Sequence, residues 1–407
     1  MFGTITIVGG SLAGLTCAQS LRHGGYEGKL VVIEPDPHDP YDRPPLSKQV
    51  LSGAWDVGKA ALAAGSADLD IEWRRGHPAV GLDLSDRFVR LGDGEMVGFD
   101  GLVIATGASA RVLPGMGEIV NVHVLRTLDD CLALRGALDA GATRVVVVGA
   151  GFIGAEVAAT CRGRGCEVVM LEALAVPLER ALGAQMGMLV ADIHREHGVD
   201  VRLGIGVDGF DADDEQRVTA VRLSDGTSLP ADLVVVGIGV SPVTGWLDGS
   251  GLEVDNGVVV DAQLRAAPGV VAVGDIARWP SARFGGLMRL EHWENAIQMG
   301  EHAAGTLRRE SDPDEAEPDP APYDPVPWFW SDQYDRKIQL AGHSGADDDF
   351  EVVHGSVDER RFVGVYGRAG RLVGVFGINR PRHVMQLRQL LVDGASWDEA
   401  VAFGREL

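Results

Sequence analysis

The sequence predicts an α/β protein with two doubly wound sheets, the second inserted in the first, and a small α+β domain at the C-terminal end. Three observations carry that prediction. An apolar strand, a glycine-rich turn and a helix follow one another twice, 140 residues apart. Each copy is followed by a second apolar strand that closes on a carboxylate. The 407 residues, 45% hydrophobic and 23% charged, exceed one ordinary core yet have a globular composition.

In the first copy "TITIV" is the strand, "GGSLAG" the turn and "LTCAQSLR" the start of the helix. The glycine pattern is Gly9-x-Ser11-x-x-Gly14, with Ala13 inside the turn. The second copy, "TRVVVVGAGFIGAEVAATCRGRG", has an uninterrupted Gly149-x-Gly151-x-x-Gly154 between a four-valine strand and a helix. In such a Rossmann-like turn the first glycine makes the bend and the second lets backbone approach a pyrophosphate. The third lets the helix pack on the strand, and the helix N-terminus offers N–H groups to the phosphates. Ser11 adds a Cβ and a hydroxyl at the second position, which weakens the first match.

The carboxylates fall where a ribose would need them. "KLVVIEPD" puts Glu34 20 residues after Gly14, and "CEVVMLEA" puts Glu172 18 residues after Gly154. A 2′-phosphate would be repelled by Glu172, and "EALAVP" brings no Arg to receive one, so NADH is expected over NADPH. Two dinucleotides per chain are the expectation.

Bulk properties narrow the class. A net charge of −23 excludes non-specific binding to nucleic acid or anionic lipid. Cys17, Cys131, Cys161 and Cys166 show no C-x-x-C spacing, against a disulfide scaffold or a redox dithiol. The opening residues lack a signal-peptide pattern, and the longest apolar run, residues 145–155, is short of a membrane span. A soluble, cytoplasmic protein is expected. His194 and His197 form an H-x2-H that reads as a surface helix end, and no metal site is expected.

Two further strand ends add detail. "FDGLVIATGASAR" ends in Ala105-Thr106-Gly107, and "GVVAVGDIAR" ends in Gly274-Asp275, where an Asp can hydrogen-bond a polyol or cap a helix. Between them runs "VVVGIGVSP", residues 234–242, with Gly237, Ile238 and Gly239. The order of these segments resembles the two-dinucleotide flavoprotein reductases. "YDRPPLSK" (41–48), "EHWENA" (291–296) and "PWFWSDQY" (327–334) narrow it. Together they resemble the ferredoxin reductases of bacterial cytochrome P450 and aromatic-ring dioxygenase systems, the putidaredoxin reductase type.

The resemblance implies FAD at the first fingerprint and NADH at the second. Electrons would pass singly to an iron–sulfur ferredoxin, expected to be of the [2Fe–2S] type, that serves a P450 or a dioxygenase. It implies that Lys48 lies by the reacting edge of the flavin and that Glu156 pairs with it and meets the nicotinamide. Arg43, Arg126, Ala13, Val80, Glu291, His292, Trp293 and Trp330, with Trp328 beside it, join the flavin set; Phe152 and Ile153 join the nicotinamide set. Ferredoxin docking is expected on the C-terminal domain, at Arg380, Arg382 and Arg388, where a local basic cluster would offset the chain's acidity. Two competing readings are an NADH oxidase or peroxidase, which needs a redox cysteine near the flavin, and a redox-sensing flavoprotein interaction module.

The organisation expected is an FAD-binding domain at 1–112 and 242–310, an NAD-binding domain at 113–241, an acidic Pro-rich linker at 311–327 and the C-terminal domain at 328–407. The stretch 308–327 carries six prolines and seven acidic residues and reads as solvated. "FVGVYGR" and "RLVGVFGIN" read as strands, and "HVMQLRQLLVDG" as a helix.

Overall fold

The computed structural model describes residues 1–62, 69–312 and 321–407. They form two compact units. The first comprises Met1–Asp42, Ala61–Ser109 and Ser241–Pro327, and the second Arg43–Ala60, Ala110–Val240 and Trp328–Leu407. Residues 43–60, expected with the first fingerprint, pack instead with the second unit.

The first unit is centred on a six-stranded sheet. Its order is Arg265–Ala267, Val270–Ala272, Gly101–Ile104, Thr4–Val8, Lys29–Glu34 and Ile71–Arg75. Every neighbouring pair is parallel except the first. Parallel strands buried on both faces read as unbroken apolar runs, as "KLVVIE" and "GLVI" do. The helix Leu12–His23 packs against the helix Trp293–Ser311. The approach is so close that a Cβ on Gly300 would lie 2.7 Å from the Ala13 carbonyl oxygen. A separate antiparallel sheet is formed by Ala79–Asp83, Phe88–Leu91 and Met96–Gly98.

The acidic linker needs correction where it is described. Residues 313–320 lie outside the described residues, but Tyr323 is buried in the first unit. It stands edge-on to Trp279 at 5.6 Å, and its hydroxyl donates to Asn295 Oδ1 at 2.8 Å. Asp324 accepts from Ser281 Oγ at 2.5 Å and from the Arg283 N–H at 2.9 Å. An apolar ring and a satisfied carboxylate anchor 321–327, so composition misjudged this end of the segment.

The second unit holds a five-stranded, all-parallel sheet ordered Asp200–Leu203, Glu167–Glu172, Arg144–Val148, Leu233–Val236 and Val122–His123. A three-stranded antiparallel sheet, Val207–Ala212, Val218–Leu223 and Ser228–Pro230, adjoins it through a shared apolar core. The C-terminal residues form a five-stranded antiparallel sheet: Trp328–Gln333, Arg336–Gly342, Arg371–Ile378, Arg361–Arg368 and Asp349–Ser356. The helices Pro381–Asp393 and Trp397–Arg405 complete it.

This C-terminal sheet shares a core with the helix Glu179–Glu196. Leu182, Met186, Leu189, Val190 and Ile193 pack with Ile338, Leu340, Phe362 and Phe376. The Tyr366 hydroxyl donates to the Leu182 carbonyl at 2.8 Å. His194 follows the same helical stripe inward and is fully buried, which corrects its reading as a surface residue. The Leu189–Val190–Ile193 spacing continues to position 194 with helical periodicity, so its burial was available from sequence.

Candidate functional site

Both glycine turns are built by the same contacts. Gly9 has φ +108°, and a Cβ there would lie 2.2 Å from the Ala105 carbonyl oxygen. Gly149 has φ +99°, with the Gly237 carbonyl oxygen 2.3 Å from the same hypothetical Cβ. A Cβ on Gly14 would fall 1.9 Å from the Gly9 oxygen, and one on Gly154 2.1 Å from the Gly149 oxygen. Only glycine fits these positions. The middle position differs: Ser11 (φ −78°) and Gly151 (φ −72°) are both extended N-caps, and neither helix start has a side-chain cap.

The strand-end carboxylates close back onto their own turns. Glu34 Oε2 accepts from the Gly10 N–H at 2.6 Å, and Oε1 from the Asp36 N–H at 3.0 Å. Glu172 does the same, accepting from Ala150 at 2.9 Å and Leu174 at 3.0 Å. Each carboxylate is thereby fixed beside its turn, where its position suits ribose hydroxyls.

The expected flavin residues divide between the two units. In the first, Ala105 donates its N–H to the Val8 carbonyl at 2.7 Å, joining the strand end to the fingerprint strand. Thr106 Oγ1 donates to the Val243 carbonyl at 2.9 Å, and the Gly107 carbonyl accepts from the Val243 N–H at 3.0 Å. Gly274 and Asp275 open a 3-10 turn, and a Cβ on Gly274 would touch the Ala13 Cβ at 3.0 Å. Glu291 pairs with Arg289 at 2.7 Å, His292 caps the helix that Trp293 begins, and Trp293 Nε1 donates to Asp42 Oδ1 at 2.7 Å. Val80 lies at a strand irregularity and is 45% exposed.

The second unit holds the rest. Arg43 precedes the 3-10 turn Pro44–Ser47, and Lys48 ends it. Arg126 donates its N–H to Asp130 Oδ2 at 3.0 Å, just before a helix that Thr127 and Asp130 cap reciprocally. Gly237 donates to the Val148 carbonyl at 2.7 Å, Ile238 follows it, and the Gly239 carbonyl accepts from Arg111. Ile153 is 48% exposed at the head of the second fingerprint helix.

That helix, Phe152–Gly163, presents Phe152, Glu156 and Thr160 at i, i+4 spacing along one side. Phe152 meets Phe329 edge-on at 4.7 Å. Thr160 Oγ1 donates to the Ser47 carbonyl at 2.7 Å. Between them Glu156 is almost fully buried, and Lys48 Nζ lies 2.6 Å from its Oε2. Ser47 Oγ donates to the same oxygen at 2.5 Å, while Ser331 Oγ donates to Oε1 at 2.8 Å. Lys48 is therefore no solvated loop lysine; its side chain is 12% exposed and ion-paired.

Strand alternation sorts the aromatic motif. Phe329, Ser331 and Gln333 occupy one face of Trp328–Gln333, and Trp328 and Trp330 the other, stacked at 5.2 Å. Lys337 Nζ lies 5.9 Å from the Trp330 ring. Ser47, Ser331 and Gln333 went unnoticed in the sequence, although all three stand inside the quoted motifs. The period of two through residue 331 was the available signal.

The surroundings of the cysteines disfavour a thiolate. All four are free and buried, and burial pushes the Cys17 thiol up to about 12 and Cys161 likewise to about 12. A reactive cysteine needs the opposite shift.

The two glycine turns fit two dinucleotides. Both helix starts lack side-chain caps, and a Cβ at Gly151 would meet nothing within 4 Å, leaving open space for a phosphate. Fold and site together define a two-dinucleotide oxidoreductase. Residues 3–300 match the pyridine nucleotide-disulphide oxidoreductase family and 328–405 the reductase C-terminal family. The chain belongs to the pyridine nucleotide-disulphide oxidoreductases and, within them, to the ferredoxin reductases of putidaredoxin reductase type.

Rhodocoxin reductase of Rhodococcus erythropolis is 39% identical over 392 residues, 95% of this chain and 89% of that protein. Putidaredoxin reductase of Pseudomonas putida is 36% identical over 397 residues, 96% and 92% of the two chains. The covalent putidaredoxin reductase–putidaredoxin complex matches with a TM-score of 0.89 at 35% identity, over 96% of this chain and 93% of that one. A ferredoxin reductase from Rhodopseudomonas palustris gives 0.89 at 36% identity, over 98% and 97%. Among the described residues no helix is long and apolar enough to cross a membrane.

Proposed function

We infer that the protein is an FAD-dependent NADH:ferredoxin reductase supplying a P450 or a ring-hydroxylating dioxygenase through an iron–sulfur ferredoxin. The observation that carries this is the doubled glycine turn, each copy closed by its own carboxylate. FAD, when bound, supplies the chemistry that links a two-electron hydride donor to a one-electron acceptor. The chain's residues do the remaining work.

In the proposed roles, Gly9, Ser11 and Gly14 with Glu34 hold the adenosine and pyrophosphate of FAD, aided by Asp275 and Arg126. Gly149, Gly151, Gly154 and Glu172 hold NADH. Glu172 selects against a 2′-phosphate by charge, and the segment "EALAVP" that it opens brings no Arg to receive one. Lys48 brings positive charge to the site, where charge stabilisation favours the electron-rich ring. Glu156 fixes Lys48 and neutralises part of that charge; Ser47 and Ser331 fix Glu156 in turn. Buried, protonated cysteines support the ferredoxin reading over an oxidase or peroxidase. Unpaired thiols and the acidic composition support a cytoplasmic location.

The test is turnover of NADH with a [2Fe–2S] ferredoxin, compared with turnover on oxygen alone. Ferredoxin should accelerate NADH oxidation many-fold. Equal rates with and without it would assign the protein to the oxidases.

A further inference from the structure

A row of polar side chains runs inward from Glu156. Ser331 Oγ donates to Glu156 Oε1 at 2.8 Å, and Gln333 Nε2 donates to Ser331 Oγ at 3.1 Å. Gln333 Oε1 lies 3.1 Å from His194 Nε2, and His194 Nδ1 lies 2.9 Å from the Tyr334 hydroxyl. Glu156 is 3% exposed; Ser331, Gln333 and His194 are 0% exposed. Hydrophobic side chains would fill this space at less desolvation cost, so four linked polar groups need a reason.

The chemistry fixes the direction of every bond. Glu156, ion-paired with Lys48, can only accept, so the Ser331 hydroxyl spends its one proton on it. Ser331 must then accept, which turns the Gln333 amide nitrogen towards it and the amide oxygen towards His194. The oxygen needs a donor, so the neutral imidazole carries its proton on Nε2. Nδ1 is left to accept from the Tyr334 hydroxyl. Burial pushes the His194 pKa down to about 4, in keeping with a single ring proton near neutral pH. The charged and titratable groups facing the row are Lys48 at Glu156, Arg162 near Tyr334, and His197, which stacks on Tyr334 at 3.7 Å with Asp335 3.9 Å beyond.

We infer that Ser331, Gln333, His194 and Tyr334 are positioning residues, a row of bonds all donating towards Glu156 that holds its carboxylate oriented and aimed at Lys48. The row polarises in one direction, each bond strengthening the next. It orients and does not conduct, because the Gln333 amide holds its N–H protons at any accessible pH. The inference rests on the proposed role of the Lys48–Glu156 pair and adds that the pair's charge balance is set from His194, two side chains away.

The test is anaerobic stopped-flow reduction of the FAD-loaded enzyme by NADH across pH, on Ser331→Ala, His194→Phe and the double variant, with FAD content and Tm alongside. Ser331→Ala should slow reduction about tenfold, the worth of a hydrogen bond to a charged group, and move the acidic limb up by about one pH unit. His194→Phe should shift both in the same direction by less. The double variant should match Ser331→Ala alone, since His194 acts only through Ser331. Additive losses, or an acidic limb that stays in place in Ser331→Ala, would overturn the row.

If His194→Phe does not fold, Tyr334→Phe completes the same cycle, because it removes only the outermost hydroxyl. A wild-type enzyme that NADH does not reduce would sink the functional reading and the row with it. Normal wild-type reduction with additive variants would sink the row alone.

Discussion

The two glycine turns are the same structure with different sequences, and their differences separate what the backbone forces from what it leaves open. First and third glycines are forced in both, by carbonyl oxygens that leave no room for a Cβ. The middle residue is extended in both, so Ser11 takes the backbone of Gly151 without strain. A motif reading that weighs all three glycines equally therefore undervalues the first copy.

The helices that follow diverge two residues past the third glycine. In the first copy that residue is Thr16, on a helix covered by another helix that approaches through Gly300. In the second it is Glu156, facing a polar strand and the 43–60 segment that carries Lys48. One helix is sealed by close packing; the other displays a buried ion pair. On the proposed function, a shared turn supports a holding site and a reacting site, and the residue at that one position tells them apart.

Breaking the shared part should cost most. Gly14→Ala and Gly154→Ala should each destabilise the fold by about 3 kcal/mol, read as a lower denaturant midpoint. Gly151→Ala, with open space at its Cβ, should keep its midpoint and raise the KM for NADH. Equal midpoint losses at 151 and 154 would remove the distinction between forced and permissive glycines.

The divergent position gives the next effect. Lys48→Met should slow flavin reduction in stopped flow by the equivalent of about 2–4 kcal/mol, while FAD stays bound. Thr16→Ser, at the place in the first copy that matches Glu156, the partner of Lys48, should leave that rate at its wild-type value. Unchanged reduction in Lys48→Met would take the ion pair out of the mechanism.

The smallest effect lies away from both turns. Arg388→Glu, on the helix Pro381–Asp393, should raise the KM for ferredoxin several-fold at low salt and less at high salt, as a steering charge does. Ferricyanide reduction, which needs no docking face, should be unaffected. A parallel fall in both activities would make Arg388 structural.

The sequence showed most clearly what local chemistry dictates. Strand, turn, helix and closing carboxylate are contiguous, so both turns and the positions of Glu34 and Glu172 could be read directly. Lys48 and Glu156 lie 108 positions apart, and only resemblance joined them. The donors that hold Glu156 were harder to see, because Ser47 and Ser331 are polar residues whose burial depends on tertiary neighbours. His194 misled because its H-x2-H pattern drew the reading, although the apolar spacing of Leu189, Val190 and Ile193 already placed position 194 on the buried stripe. The anchoring of Tyr323 was hidden by six prolines and seven acidic residues around one aromatic ring.

Two carboxylates test most directly whether one turn design holds two different nucleotides. Glu34→Gln and Glu172→Gln should be compared for FAD retained on the purified chain and for the KM of NADH after full FAD reloading. Glu34→Gln should lose FAD and, once reloaded, keep its KM. Glu172→Gln should keep its FAD, raise the KM for NADH and narrow the preference over NADPH. If both variants lost FAD with unchanged KM, or both raised KM with FAD intact, the two turns would serve one nucleotide and the account would be wrong.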